Sequence, residues 1–245
     1  APANRRWGES GSIRCRFAVS VRFGRRMNSR IPLRTYSPGE EIANSITHGV
    51  GVVFSIAGLA VLTAFASVFG TAWHVVGCSI YGTTQILLYT ASTLYHSVPQ
   101  PRAKAVLRVL DHGAIFLLIA GTYTPFTLVS LRGPWGWSLF GLVWGLAVLG
   151  IALQGVLIRR RAVFAVVPYV AMGWLVVVAA KPLLESVALG GLILLLAGGL
   201  AYTLGSLFYT WHRLPYHHAV WHVFVLAGSV LHFFAVLFYV IPLAA

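Results

Sequence analysis

Tyr216-His217-His218-Ala219-Val220-Trp221-His222 runs directly into residues 223–241, which are almost wholly apolar and long enough to cross a bilayer. His218 and His222 stand four residues apart, so on a helix their rings leave one face, one turn apart. His217 lies about 140° from His222 around the same helix and falls outside the pair. A histidine pair at the mouth of a membrane span is costly to bury unless something binds it. Taken alone, the pair reads equally well as two interfacial imidazoles touching headgroups and water.

Working outward, the chain is 58% hydrophobic and 9% charged, far below the roughly 25% charged residues of a soluble domain. Its apolar residues come in long continuous runs, which predicts an all-α integral membrane protein rather than a barrel of alternating strands. We expect a multi-pass protein of the bacterial inner (plasma) membrane. Cys15 and Cys78 have neither disulfide-framework nor metal-type spacing. The net charge of +13 would suggest nucleic acid in a soluble protein, but nine of the eighteen Lys and Arg residues lie in the first 34 positions and the others mark loops. The bias is a topology signal, and no nucleic-acid partner is expected.

Residues 1–36 hold those nine arginines with Glu9 as the only acid, and no apolar core long enough for a signal peptide. They read as a disordered basic extension without fold or chemistry. Met27 is the first methionine, so we expect the true start to lie inside it. The membrane domain is 37–245. Ser37-Pro38-Gly39-Glu40 opens its first span with a capping Ser, Pro at the first position and Glu three residues after the cap. That span runs to about 68, and the next from about 73 to 95. The basic loop Pro99-Gln100-Pro101-Arg102-Ala103-Lys104 precedes a third from about 105 to 131, kinked at Pro125. A fourth covers about 137–158 and a fifth 162–180, before a loop holding Lys181, Pro182 and Glu185. A sixth covers 187–209. With the His218/His222 helix, this predicts a seven-transmembrane helix bundle. Placing the N-terminus inside puts sixteen of eighteen basic residues inside, leaving only Arg132 and Lys181 outside. Without the N-terminal tail the split is still seven to two, so the N-terminus is expected in the cytosol and the C-terminus outside.

That topology gathers the unusual polar residues at the inner ends of the spans. Glu41, Asn44 and His48 share one face of the first helix. Ser92 and His96 close the second, and Asp111 opens the third. A bare charge there costs several kcal/mol, so Asp111 needs a cation, a metal or a proton. Three imidazoles and an oxygen suit zinc, with His96, His218 and His222 as ligands. Asp111 either completes the sphere or holds the bound water, whose pKa zinc lowers to about 7. Ser92 is placed either to donate to a developing oxyanion or to bond back to its own helix. Glu41, Asn44 and His48 are supporting candidates. His74, at the other end of its span, His112, about 100° from Asp111, and the loop residues His212 and His217 fall outside the site. His232, about 15 Å along the last helix from His222, is expected to hydrogen-bond inside the bundle.

Glu41-Ile42-Ala43-Asn44-Ser45-Ile46-Thr47-His48, Ser92-Thr93-Leu94-Tyr95-His96, Leu110-Asp111-His112-Gly113 and His218-Ala219-Val220-Trp221-His222 together resemble the haemolysin III family. That family sits with the progestin and adiponectin receptors in a group that includes alkaline ceramidases. The resemblance covers about residues 36–243. It implies a seven-helix fold with an inner-face zinc site: zinc histidines at His96, His218 and His222, the aspartate at Asp111 and the serine at Ser92. Three functions follow as expectations. One is a zinc-dependent hydrolase of a lipid amide or ester, with membrane lipid as partner and substrate, Asp111 as base and Ser92 as oxyanion donor. The second is the cytolytic or pore-forming activity that the family's name implies. The third is a sensor or receptor with structural zinc.

Overall fold

The computed structural model describes residues 36–157 and 162–242, which contain helices and no strand. In chain order these are α1 (Pro38–Phe69), α2 (Ala72–Ser97), α3 (Pro101–Pro125), α4 (Pro134–Leu157), α5 (Ala162–Gly173), α6 (Ala180–Ser186), α7 (Leu189–Thr210) and α8 (His217–Tyr239). A π-helical turn, Phe126–Ser130, follows α3, and a 3-10 stretch, Trp174–Ala179, joins α5 to α6. The expectations for residues 1–35 and for the basic turn at 159–161 lie outside the described residues. α1 begins as its capping box predicts: Glu40 N–H donates to Ser37 Oγ at 3.3 Å, and Ser37 N–H to Glu40 Oε2 at 2.9 Å.

Among the described residues, six stretches are long and apolar enough to span a membrane: Pro38–Phe69, Pro101–Ser130, Pro134–Gly155, Ala165–Ser186, Leu189–Thr210 and His217–Tyr239. α2 has the length but not the hydropathy. Many of its polar side chains are turned into protein: Thr84, Gln85, Ser92 and His96 are all buried, and the helix packs against α1 and α3. α1 also packs on α8, α8 on α7, and α3 on α4, while α5 touches α3, α4 and α7.

Three boundaries depart from expectation. α3 starts four residues before the predicted position, because Pro101 suits the first helical turn, where its missing N–H is no loss. Lys104, expected in a loop, therefore lies on that turn. The break at Pro125 takes the form of the π turn, closed by Leu131 N–H to Phe126 O at 2.8 Å. The loop expected at Lys181, Pro182 and Glu185 is instead helical to Ser186. Its approach is 3-10 because the Tyr123 hydroxyl enters the backbone ladder. It donates toward Met172 O (3.1 Å) and Gly173 O (2.7 Å) and accepts from Val176 N–H at 2.8 Å.

Gly121 sets how closely α3 approaches α2. A Cβ there would run into Thr84 Oγ1, and Thr84 is itself tied to Tyr81 O at 2.8 Å. Gly121→Ala should lower stability by about 1–3 kcal/mol through overpacking. Thermal unfolding of the purified variant in detergent checks this, and an unchanged transition would contradict the close contact.

Candidate metal centre

The end of α2 and the start of α8 meet beside the first turns of α1. His96, His218 and His222 are buried, and each offers a ring nitrogen within 4.8 Å of those of the other two. Ring centroids are 4.5 Å apart for His218 and His222, 5.0 Å for His96 and His218, and 5.3 Å for His96 and His222. The entry into α8 is set by Tyr216, a non-glycine residue with φ 55°. Such a conformation carries a small strain that the surroundings must hold. Here the capping residue Glu40 does so, its Oε1 accepting from Tyr216 N–H at 3.3 Å and linking the starts of α1 and α8.

Hydrogen bonds orient His96 and His222. His96 Nδ1–H donates to Glu41 Oε2 at 2.6 Å, and Glu41 Oε1 is held by Lys104 Nζ at 2.8 Å. Lys104 also donates to Tyr95 O at 2.9 Å. His222 Nδ1–H lies 3.2 Å from Asn44 O and 3.1 Å from the Thr47 hydroxyl. With Nδ1 protonated in both rings, Nε2 presents a lone pair. His96 Nε2 and His222 Nε2 are buried with no hydrogen-bond partner. Asn44 Nδ2 is 3.4 Å from His96 Nδ1. Because that nitrogen is a donor, the amide oxygen suits the position better, and Oδ1 is the atom otherwise buried without a partner.

This donor set fits zinc: neutral imidazoles, with two oriented by oxygen acceptors on the second ring nitrogen. Glu41→Gln should weaken metal binding by about 10–100-fold while leaving the helices intact. Competition with a chromophoric chelator measures it, and an unchanged affinity would remove Glu41 from the support of His96.

His48, Ser92 and Asp111 line one end of a cavity with two of the three histidines, His218 and His222. Asp111 stands outside the set of mutually close donors, and its Oδ2 lies 3.2 Å from His112 Nδ1. Ser92 does not bond back to its own helix: its Oγ is buried without a partner, whereas Thr93 and Ser97 return theirs to Tyr89 O and Thr93 O. His48 stacks on His222, with centroids 3.5 Å apart and planes within 11°. Both His48 ring nitrogens are buried without hydrogen-bond partners.

Four neighbours escaped the sequence reading. His112, set aside as facing away from Asp111, is buried and borders the cavity, its Nε2 3.3 Å from Tyr209 hydroxyl. From Asp111 to Ala114 four consecutive residues of α3 are buried, so that turn is covered on more than one side and two adjacent residues both look inward. His217, expected near headgroups, is buried, with Nδ1 3.1 Å from Phe208 O. Lys104 was missed with the early start of α3. Tyr36, assigned to the extension, has its ring 5.1 Å from that of His218 and 5.6 Å from that of His96. No local pattern marks Tyr36. His74 pairs with Thr71 at the far end of α2, and His212 is exposed between α7 and α8, so neither joins the site. His232 makes the expected bond inside the bundle, Nε2–H to Leu195 O at 3.1 Å.

The chain is similar to known proteins along most of its length. The family model described as "Haemolysin-III related" matches residues 36–233, beginning at Tyr36. Hemolysin-3 of Bacillus cereus is 48% identical over 219 residues, covering 89% of this chain and 100% of that protein. The Hemolysin-3 homolog of Bacillus subtilis (strain 168) is 48% identical over 200 residues, covering 82% of this chain and 94% of its own length. The human monocyte to macrophage differentiation factor is 29% identical over 229 residues, covering 88% of this chain and 92% of its own. No solved structure matches the chain. With six helices able to span a membrane and this match along nearly all of its described length, the chain belongs to the haemolysin III family and is an integral, multi-pass protein of the bacterial plasma membrane.

Proposed function

We propose that this protein is a zinc-dependent hydrolase of lipid amide or ester bonds. The observation that carries the proposal is a buried three-histidine set bordered by an aspartate and an unpartnered serine hydroxyl, at one end of an apolar cavity. His96, His218 and His222 would hold the ion. When bound, zinc supplies an acidified water and polarises a carbonyl. Among the described residues the mutually close donors number three, one short of the four that close a structural site, which supports catalytic use.

The chain's own residues supply the rest. Asp111 takes a proton from the attacking water and returns it to the leaving amine or alcohol. Ser92 donates its hydroxyl hydrogen to the carbonyl oxygen as charge develops there. Leu88, Ile115, Leu118 and Val225 line the cavity beyond them and receive the acyl chain. Topologically, α2 is the seventh span, its polar face covered by α1 and α3. The N-terminus is cytosolic and the C-terminus outside, as the basic residues at 102, 104, 108 and 213 indicate.

The test is incubation of the detergent-purified protein with total lipid extract. Free fatty acid should accumulate, stop on chelation and resume with zinc; no release from any lipid class would end the hydrolase reading. The name Hemolysin-3 of the two Bacillus relatives points to a lytic activity as the second reading. Dye release from liposomes that survives His222→Ala would favour it.

A further inference from the structure

The cavity does not end in hydrocarbon alone. Its deep end adjoins a second apolar cavity, and the two share Thr122, Tyr123, Gly173, Trp174, Gly199 and His232. The polar side chains at this junction are nearly all satisfied. Thr122 donates to Leu118 O at 2.8 Å, Trp174 Nε1–H to Thr203 Oγ1 at 3.0 Å, and Tyr123 is bound within the α5–α6 connection. His232 is the exception. Its side chain is buried, at 7% exposure, and packs against Gly198, where a Cβ would stand 2.5 Å from Nε2. Nε2–H donates to Leu195 O, which leaves Nδ1 as an acceptor, buried with no hydrogen-bond partner. An imidazole in the middle of an apolar span is expensive and usually has a specific partner. At this position any protein acceptor would be no use to it; the missing group must be a donor.

We propose that His232 recognises a hydroxyl group carried on the lipid chain that occupies the cavity. The proposal rests on the reading that an acyl chain lies there with its carbonyl at the histidine set. His232 is ten residues beyond His222, roughly 15 Å along α8, which an extended chain covers in roughly a dozen carbons. The favoured ligand is therefore an acyl chain hydroxylated near its twelfth carbon. The chain O–H donates to His232 Nδ1, and the aliphatic remainder passes into the second cavity. An unsubstituted chain leaves the nitrogen unpaired.

Binding, not turnover, tests this. Stearic, 12-hydroxystearic and 2-hydroxystearic acids are compared as displacers of a fluorescent fatty acid from the purified protein. The 12-hydroxy acid should bind about five- to tenfold more tightly than stearic acid, one hydrogen bond's worth, and the 2-hydroxy acid should not share that gain. His232→Phe should erase the preference. Should that variant fail to fold, the positional series on the unmodified protein decides alone. Equal binding of stearic and 12-hydroxystearic acids overturns the hydroxyl site but leaves the lipid cavity standing. A preference that persists in His232→Phe removes His232 as the acceptor. Failure of all three acids to bind overturns both readings.

Discussion

Replacing His222 with alanine should strip the protein of its metal. The unmodified protein, purified in detergent without chelators, should carry close to one zinc per chain; the variant should carry almost none. Apparent free energies for four-ligand zinc sites are about 10–16 kcal/mol, so one imidazole accounts for several kcal/mol and its loss for at least a hundredfold in affinity. His222 is also the least replaceable of the three. Its Nδ1 is anchored to Asn44 O and Thr47, and its ring carries the stacked His48. Alanine therefore removes a donor and loosens the wall behind it. His232→Ala is the matched control: it too removes a buried imidazole from α8, but one outside the three-donor set, and zinc should stay near one per chain. Elemental analysis of monodisperse fractions gives the ratio. Unmodified protein free of any transition metal would end the metal reading, whatever the variants do.

Asp111→Asn should leave the fold and the zinc in place but reduce lipid hydrolysis by about 10²–10⁴-fold, the range for losing a positioned general base. The substitution preserves shape and burial, and the carboxylate stands outside the mutually close donors, so metal content should hold. A neutral amide cannot take up the proton that Asp111 is assigned. Metal content and turnover must be measured on the same preparation. Turnover close to that of the unmodified protein would take Asp111 out of the mechanism; loss of zinc together with turnover would make it a ligand instead.

Much of the site was legible because its signals are local. One-turn spacing put His218 and His222 on one face, and the same rule aligned Glu41, Asn44 and His48 and paired Ser92 with His96. What spacing could not reach was contact across helices. Lys104 was placed in a loop because apolar periodicity begins after it, yet Pro101 starts the helix early enough for its ammonium to meet Glu41. The Tyr123 hydroxyl reaches a backbone some fifty residues away and converts it to 3-10 form.

Apolar run length and basic-residue placement are properties of the chain as written, so they determined without coordinates that it is a multi-pass helical membrane protein, with its unusual polar residues grouped toward helix ends. Which nitrogen of His96 and of His222 is open was decided only in three dimensions. So was the freedom of Ser92 from its own helix, and the junction at which His232 lacks a donor. Those depend on the rotation and relative depth of neighbouring helices, which side-chain packing sets and a period of 3.6 residues does not carry.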